Sequence, residues 1–358
     1  MKKLFVYLTI ILSIIVALPI SGCSHRKTSN SDLPTLNDFD SHSIPSYNPN
    51  HYPVTVTQYT ETGKPISVTY TKPPQRIITL WQNSAETLLA LGEGSRIMAA
   101  LGIPNKKYLL PELQPAYEKI PYKNLQPLSL EAVMGMQPDF ILGWYSTFSE
   151  KNWRGFSFWQ NQGTTIFIAP SSISIKKQSK EHTLDEEYLY IETLGKIFDR
   201  NEKAQEIVNT MKQQVNSTIV YANTQAISPK VLVLEKTARN TFIVYGKNTL
   251  AGNIVTTLHG NLLLQNQTST TLEEITALNP DVIFLVLTEE NYDKVAQLKN
   301  EIAQINTLQN IPAVKNNRLI TLPLYTVYSP GIRSLDGIQI IAKGLYPNLT
   351  LPPSKPLL

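Results

Sequence analysis

The sequence predicts an α/β protein of two similar lobes, each built on a mostly parallel sheet. The first observation is an internal repeat: S-L-E-A-V-M-G-M-Q-P-D-F-I-L at 129–142 aligns without a gap with T-L-E-E-I-T-A-L-N-P-D-V-I-F at 271–284. Each copy predicts a capped helix that ends before a proline and leads into a buried strand. The second observation is that predicted strands and helices alternate around both copies. Repeats this far apart indicate two lobes rather than a solenoid, whose units are about 20–50 residues long.

The N-terminal lobe is predicted over residues 52–181. A helix that begins near Ser84 is expected to use this residue as its cap and Gly92 as its stop. The other predicted elements are a hairpin, the first copy of the repeat and three buried strands, at 55–70, 129–142, 76–80, 97–101 and 164–169. Strands joined by right-handed helical crossovers bring their carboxyl ends to one edge of the sheet.

A helical linker is predicted over 182–224, followed by a C-terminal α/β lobe over 225–348 and a tail over 349–358. The linker has an apolar stripe at helical spacing and is expected to be long and rigid, with an interruption at 199–201 and Asn201 as a new cap. A single helical link permits only limited hinge motion. The C-terminal lobe is expected to hold strands at 230–235, 241–245 and 318–322 and helices at 248–258, 294–303 and 335–345, besides the second repeat copy.

The N-terminus predicts export from the cytoplasm. Lys2 and Lys3 precede an apolar run at 4–20, and Ile20-Ser21-Gly22-Cys23 follows. This pattern resembles a bacterial lipoprotein signal peptide over 1–22, with Cys23, the single cysteine of the chain, as the lipidated residue. Residues 23–51 are rich in Ser, Asn, Pro and Asp and predict a flexible tether. The folded part is therefore expected at the outer face of the cytoplasmic membrane; the alternative is an uncleaved membrane anchor.

Candidate ligand-binding residues follow the predicted strands, because ligands of such sheets lie beyond the carboxyl ends of the strands. Aromatic rings with a polar edge suit a large, flat, partly apolar ligand, and an arginine offers a fork to its carboxylates or phenolates. The candidates are Trp81, Gln82, Asn83, Trp144, Tyr145, Tyr245, Tyr325, Tyr328 and Arg333. The alternatives are core packing or a lobe–lobe contact for the tryptophans, and a helix-start salt bridge for Arg333.

Several function classes lack the sequence features that they require. A net charge of +4 without a long run of like charge does not indicate nucleic-acid binding. The chain has no P-loop, no dinucleotide fingerprint and no clustered set of residues for nucleophilic catalysis. We therefore expect a protein that is not an enzyme and that needs no cofactor. Only His182 and His259 lie outside the tether, which disfavours a receptor for free zinc or manganese.

An ordered set of motifs resembles the substrate-binding lipoproteins of ABC importers for iron–siderophores, haem and cobalamin. The motifs span about residues 52–348: Y-P-V-T-V-T at 52–57, K-P-P-Q-R-I-I-T-L at 72–80, E-T-L-L-A-L-G at 86–92, S-L-E…Q-P-D at 129–139, L-G-K-I-F at 194–198, L-N-P-D-V-I at 278–283 and I-P-A-V-K-N-N-R at 311–318. The resemblance implies two Rossmann-like lobes and a cleft that holds a ferric siderophore, haem or corrinoid. A lipid-anchored hydrolase and an extracellular sensor are the competing hypotheses.

The resemblance also implies partners. An ABC importer permease and its ATPase are expected, with the permease docking on one acidic residue of each lobe. Glu131 and Glu273 occupy the same position in the two repeat copies and are the candidates. The alternative is that each simply stabilises the positive end of its helix.

Overall fold

The computed structural model describes residues 45–177, 181–226, 228–237, 241–328 and 330–354. The predicted signal peptide, Cys23 and the predicted tether up to residue 44 lie outside the described residues. No helix within the described ranges is long and apolar enough to cross a bilayer.

The first lobe holds a five-stranded sheet in which all strands are parallel, as the alternation of strands and helices predicted. The strand order is β5-β4-β3-β6-β7, and a two-stranded antiparallel hairpin of β1 and β2 stands apart from it. The strands are β1 Val54–Tyr59, β2 Pro65–Tyr70, β3 Ile77–Leu80, β4 Ile97–Leu101, β5 Tyr122–Asn124, β6 Phe140–Gly143 and β7 Thr165–Ile168. The helices are α1 Gln82–Ala90, α2 Gln114–Glu118, α3 Leu130–Gly135, α4 Phe156–Asn161 and α5 Pro170–Lys177.

Two helices form the linker. Helix α6, Leu184–Ile197, packs on the first lobe, where Tyr190 lies against Phe167 and Phe198 against Phe140. The chain turns back at the predicted interruption, and α7, Asn201–Ala222, returns along α6. A Cβ on Gly195 would lie 2.4 Å from that of Ala204, so glycine is needed for this close approach. The linker is therefore a helical pair that folds back on itself rather than one continuous helix.

The second lobe holds a mixed sheet of order β11-β9-β8-β12-β13, with the short β10 beside β8. Strands β8, β10, β12 and β13 are parallel, but β9 runs antiparallel to both β8 and β11. The strands are β8 Lys230–Lys236, β9 Thr241–Val244, β10 Asn261–Leu262, β11 Ser269–Thr271, β12 Val282–Leu287 and β13 Leu319–Pro323. The helices are α8 Leu250–Thr257, α9 Leu272–Leu278, α10 Val295–Ala303, α11 Pro312–Lys315 and α12 Ser334–Leu345.

The two repeat copies occupy equivalent places. Strand β6 lies between β3 and β7, and β12 lies between β8 and β13. The Asp139 carboxylate accepts from the backbone N–H of Gln75 and Arg76 at 3.0 and 2.7 Å, and that of Asp281 accepts from the N–H of Lys230 at 2.8 Å. Each aspartate thus holds the start of the first strand of its own sheet, which explains structurally why Pro-Asp recurs.

A continuous hydrophobic core connects the lobes through the linker. It contains Ile77 and Phe140 of the first lobe, Ile191 and Met211 of the linker, and Phe284 of the second lobe, all buried. The outer side of the second sheet has a core of its own, built around Leu232 and Ile283. Because one core passes through both linker helices, the fold resists large relative motion of the lobes.

Two predicted caps were wrong. Helix α1 begins at Gln82, two residues before Ser84, so Ser84 is buried inside the helix. Asn201 is the first residue of α7 rather than its cap. By contrast, Ser129 and Thr271 cap α3 and α9 through bonds from the N–H of Ala132 and Glu274. The Glu274 carboxylate accepts from Thr270 and Gln267, so it is held by neighbouring side chains.

Residues 45–51 were predicted as part of the tether, and the structure places them against the folded part. The Arg96 guanidinium donates to the carbonyl of Pro45 at 2.7 Å, and that of Arg200 donates to the carbonyl of Ser46 at 3.2 Å. The His51 ring lies 3.4 Å from the Asp199 carboxylate. This segment is bound to Arg96 of the first lobe and to the turn between α6 and α7.

Candidate functional site

The candidate site is a narrow cleft between the carboxyl edge of the first sheet and that of the second. The first lobe contributes residues that follow β3 and β6, and the second contributes residues that follow β12 and β13. The lining residues are Trp81, Gln82, Asn83, Trp144, Glu289, Tyr292, Leu324, Tyr325 and Tyr328. Six of the nine predicted ligand-binding residues therefore meet in one place. The cleft volume is about 60 Å³, which is room for about two water molecules.

Trp81 has a strained backbone at the start of α1. Its φ of 71° and ψ of 157° lie in a region that is almost restricted to glycine. The ring packs so closely on Gly102 that a Cβ there would lie 2.8 Å from it. The indole Nε1 is buried and has no hydrogen-bond partner among the described residues. Strain of this kind persists where the surrounding structure enforces it, and it is concentrated at functional sites.

Trp144 connects the two sides of the cleft. Its ring centroid lies 5.5 Å from that of Trp81 and 5.4 Å from that of Tyr328 in the second lobe. Its indole N–H donates to Asn83 Oδ1 at 3.2 Å, while the Asn83 Nδ2 group is buried without a partner among the described residues. The first lobe thus presents two aromatic rings and two neutral N–H donors.

The second lobe presents three tyrosines to these rings. Tyr325 and Tyr328 follow β13, and Tyr292 follows β12, with 5.2 Å between the ring centroids of Tyr292 and Tyr325. Burial raises the pKa of all three phenols above the ordinary value, so they are neutral at physiological pH. The cleft is therefore rich in aromatic rings on both sides.

Arg333 is nearby, but its guanidinium is already bound to protein groups. It lies 3.1 Å from the Glu86 carboxylate and 2.6 Å from that of Asp336, and it donates to the carbonyl of Tyr108 at 2.8 Å. Its charge also lies 4.5 Å from the centre of the Tyr325 ring. Burial lowers the pKa of Arg333, but the neighbouring carboxylates outweigh this effect and raise the pKa above its ordinary value. The helix-start salt bridge, the alternative weighed from sequence, is present here.

Tyr145 and Tyr245 lie beside the cleft and do not line it. The Tyr145 N–H donates to Ser172 Oγ at 3.2 Å. Tyr245 was expected at the carboxyl end of a parallel strand, but β9 is antiparallel to β8, so its end lies away from the cleft edge. The side chain of Tyr245 is buried and its hydroxyl donates to Glu235 at 2.7 Å. Burial and Glu235 raise the pKa of the Tyr245 phenol, and Tyr328 and Tyr292 add to this, so the hydroxyl lies near these cleft tyrosines although the strand end does not.

The aromatic connection after Trp144 is part of the core. Trp153 and Trp159 are 3% and 1% exposed, and their indole N–H groups donate to the carbonyls of Leu128 and Trp153. Neither tryptophan lines the cleft. The connection includes α4, which packs against β7. Its two tryptophan rings are buried in this contact layer, as large apolar rings commonly are.

Sequence reasoning missed a set of contacts between the lobes at the rim. The Lys107 ammonium lies 2.8 Å from the Asp293 carboxylate, and the Tyr108 hydroxyl donates to the same carboxylate at 3.2 Å. The rings of Tyr108 and Tyr292 lie 4.9 Å apart. The segment that carries Glu289, Tyr292 and Asp293 follows β12, so the rule about carboxyl ends of strands was the signal that could have found it.

Glu131 and Glu273 are exposed in the first turns of α3 and α9, and neither forms an ion pair with another described residue. The start of α3 shares a depression with Trp81, which follows β3. Thr271 pairs with Thr241, next to the carboxyl end of β8. Each glutamate thus stands at the carboxyl edge of its own sheet. The backbone N–H of Glu273 and the hydroxyl of Thr271 lower the pKa of Glu273, which is therefore ionised at neutral pH.

The described residues contain no group of three or more His, Cys, Asp or Glu side chains that could hold a metal ion. His182 is buried with its Nε2 2.7 Å from the Glu187 carboxylate, and His259 is exposed after the end of α8. Neither lines the cleft.

Two sheets whose carboxyl edges face each other across a cleft, with a helical pair between the lobes, define a two-lobed solute-binding protein. The chain belongs to the periplasmic binding protein family, which it matches over residues 77–326. The fold is shared with solved structures of a petrobactin-binding protein and of periplasmic haem-binding proteins, with TM-scores of 0.57 to 0.62. Members of the family bind substrates for transport and are not enzymes.

Three relatives illustrate the match. A periplasmic binding protein from Veillonella parvula DSM 2008 superimposes with a TM-score of 0.81 at 40% identity, covering 88% of this chain and 99% of its own. The uncharacterized ABC transporter substrate-binding lipoprotein YvrC of Bacillus subtilis is 24% identical, over 78% of this chain and 83% of its own. The petrobactin-binding protein YclQ of the same organism is 22% identical, over 92% and 94%.

Proposed function

We propose that this protein captures a ferric siderophore in the aromatic cleft and delivers it to the permease of an ABC importer. The observation that carries the proposal is the convergence of Trp81 and Trp144 with Tyr325 and Tyr328 at the facing carboxyl edges of the two sheets. Rings that carry neutral donors suit a bulky chelate with apolar flanks and polar edges. The ability of YclQ to bind petrobactin supports the same ligand class.

Binding of such a ligand requires the cleft to widen. Pockets for ligands of this size have volumes of about 300–1,000 Å³, well above the 60 Å³ between the rings here. The contact of Trp144 with Tyr328 is the narrow point, and the exposed Lys107–Asp293 pair lies at the rim. Exposed ion pairs contribute little to stability, so this side can open at low cost. The buried Arg333–Glu86 pair is the contact that would resist opening.

Delivery would use Glu131 and Glu273. They are exposed, matched in position between the lobes, and located at the edges that border the cleft. Arginines on two permease subunits are the complementary partners that such carboxylates would meet, and charge complementarity sets orientation and association rate. Lipidation at Cys23 would keep the protein at the outer face of the cytoplasmic membrane, next to the permease.

Fluorescence titration tests the proposal. Ferric siderophore added to the purified protein is expected to quench tryptophan emission, because Trp81 and Trp144 line the cleft. Haemin is the comparison ligand, since Tyr325 or Tyr328 would have to become an axial ligand, which their raised pKa disfavours. Saturable quenching by ferric siderophores supports the proposal. Binding of haemin with a shifted Soret band, and of no siderophore, would replace it with a haem receptor.

A further inference from the structure

The charges around the cleft restrict the kind of chelate that it can hold. Among the nine lining residues Glu289 is the only charged side chain, and none is Lys or Arg. The Glu289 side chain is exposed, although its partial desolvation and then the neighbouring Glu290 raise its pKa. Glu235 lies behind, bound to the hydroxyl of Tyr245. The electrostatic potential in the cleft is therefore dominated by negatively charged carboxylates.

Two cations close to the cleft, Arg333 and Lys107, are already paired with carboxylates. Arg333 is held between Glu86 and Asp336, and its side chain is 8% exposed. Lys107 at the rim is paired with Asp293. Lys151 lines a separate depression of about 340 Å³ in the first lobe, which shares only Trp81 with the cleft. A negatively charged ligand in the cleft would thus meet the exposed Glu289 carboxylate without a compensating cation among the lining residues, and the repulsion would grow as the ligand displaces water.

The hydrogen-bond donors of the first lobe that have no protein partner are uncharged. Trp81 Nε1 and Asn83 Nδ2 are both buried and lack hydrogen-bond partners among the described residues. Asn83 is 6% exposed and lines the cleft. Buried N–H groups without partners cost free energy that a carbonyl or hydroxamate oxygen of a ligand would restore. The faces of Trp and Tyr rings also attract cationic groups.

We propose that the ligand is a metal chelate without net negative charge, either uncharged or cationic, as a ferric trihydroxamate or a corrinoid is. This inference rests on the proposed function for the location of the site and narrows the ligand class by charge. It excludes tris-catecholate complexes, which carry three negative charges per iron, and haem, which carries two carboxylates. It also predicts that this protein does not share the anionic petrobactin chelate bound by YclQ, although both would bind siderophores. Glu289 is then a specificity-determining residue, because it supplies the negative charge that rejects anionic chelates.

The test compares probes of different charge on the same protein. Ferrioxamine B is cationic, ferrichrome and cyanocobalamin are uncharged, and ferric enterobactin and haemin are anionic. Tryptophan quenching is expected to show at least one uncharged or cationic chelate binding about tenfold or more tighter than both anionic ones. Glu289→Lys should narrow that ratio by about tenfold, whereas Glu202→Gln, at the exposed start of α7, should leave it unchanged.

The outcomes separate the inference from the proposed function. Tighter binding of ferric enterobactin or haemin by the unmodified protein overturns the charge inference, and binding of ferric enterobactin leaves the siderophore function in place. Binding of cyanocobalamin alone supports the charge inference and overturns the siderophore assignment. Binding of none of the five probes overturns both. If Glu289→Lys leaves the ratio of affinities for uncharged or cationic chelates over anionic chelates unchanged, Glu289 does not determine specificity.

Discussion

The guanidinium of Arg333 lies 3.1 Å from the carboxylate of Glu86, and this buried pair joins the second lobe to the first. The two side chains are 8% and 0% exposed. Glu86 also accepts from the N–H of Leu110 at 2.7 Å and from Gln82 at 2.9 Å. The pair therefore links α1, the segment before α2 and the turn that starts α12. Removal of this ion pair tests whether it stabilises the contact between the two lobes.

Arg333→Ala should lower the free energy of unfolding by about 3–5 kcal/mol, because the Glu86 carboxylate would remain buried without its cation. Denaturant unfolding followed by circular dichroism measures this loss. Lys107→Ala breaks the exposed inter-lobe pair with Asp293 and serves as the control, with stability close to that of the unmodified protein. Equal, small losses in both variants would show that Arg333–Glu86 does not hold the lobes.

Trp81→Gly should weaken ligand binding by about 1–3 kcal/mol, since it removes an aromatic anchor. The loss of stability should be smaller than the loss of a whole indole ring suggests, because glycine adopts the backbone angles of Trp81 without strain. Trp153→Phe is the matched control: it loses a buried bond to the Leu128 carbonyl, so stability falls while affinity is kept. Affinity that is unchanged in Trp81→Gly but reduced in Trp153→Phe would place the ligand elsewhere.

The relative motion of the lobes that opens the cleft for the ligand should be small. The lobes share one hydrophobic core through α6 and α7, and a hinge of loose strands is not what connects them. Small-angle X-ray scattering should give radii of gyration with and without ligand that differ only slightly. A gross change in the scattering curve would show that the linker bends and that the shared core separates.

Cys23→Ser should release the protein from membranes, because the hydroxyl cannot carry the lipid that the sulfur would. Cell fractionation followed by immunoblotting measures the distribution, and the unmodified protein should stay in the membrane fraction after a salt wash. A serine variant that also remains there would indicate an uncleaved apolar segment as the anchor instead.

Charge reversal of the two matched glutamates should abolish uptake and keep ligand affinity. Glu131→Lys combined with Glu273→Lys changes exposed residues that do not line the cleft. Uptake of labelled ferric siderophore by cells, beside titration of the purified variant, separates the two effects. Glu202→Lys, on the outer linker helix, controls for charge alone. Normal uptake by the double variant would leave helix stabilisation as the role of both residues.

Periodicity and the repeat predicted most of the fold because each element carries its own local signal. The repeat gave the helix–strand units α3–β6 and α9–β12 in equivalent positions. The antiparallel direction of β9 relative to β8 could not be predicted, because the apolar pattern of a short strand is the same for parallel and antiparallel pairing. That difference is why Tyr245 lies beside the cleft and not in it.

The site was predicted where it depends on strand ends and missed where it depends on tertiary contacts. Trp81, Trp144, Tyr325 and Tyr328 follow parallel strands, so their convergence is a property of the sheet. The guanidinium of Arg333 is paired with Glu86, which is 247 positions away in the chain. No local sequence pattern predicts such a long-range ion pair. The burial of Trp159 likewise depends on the side chains that pack against it and not on its local sequence.

The position of the iron in a crystal of the complex tests the central claim most directly. Anomalous scattering at the iron edge locates the metal without assumptions about the ligand. We predict one strong peak between the rings of Trp81 and Trp144 and those of Tyr325 and Tyr328, with the rings parted to admit the chelate. A peak in the depression beside Lys151, or at the surface, would contradict the assignment of the cleft as the binding site.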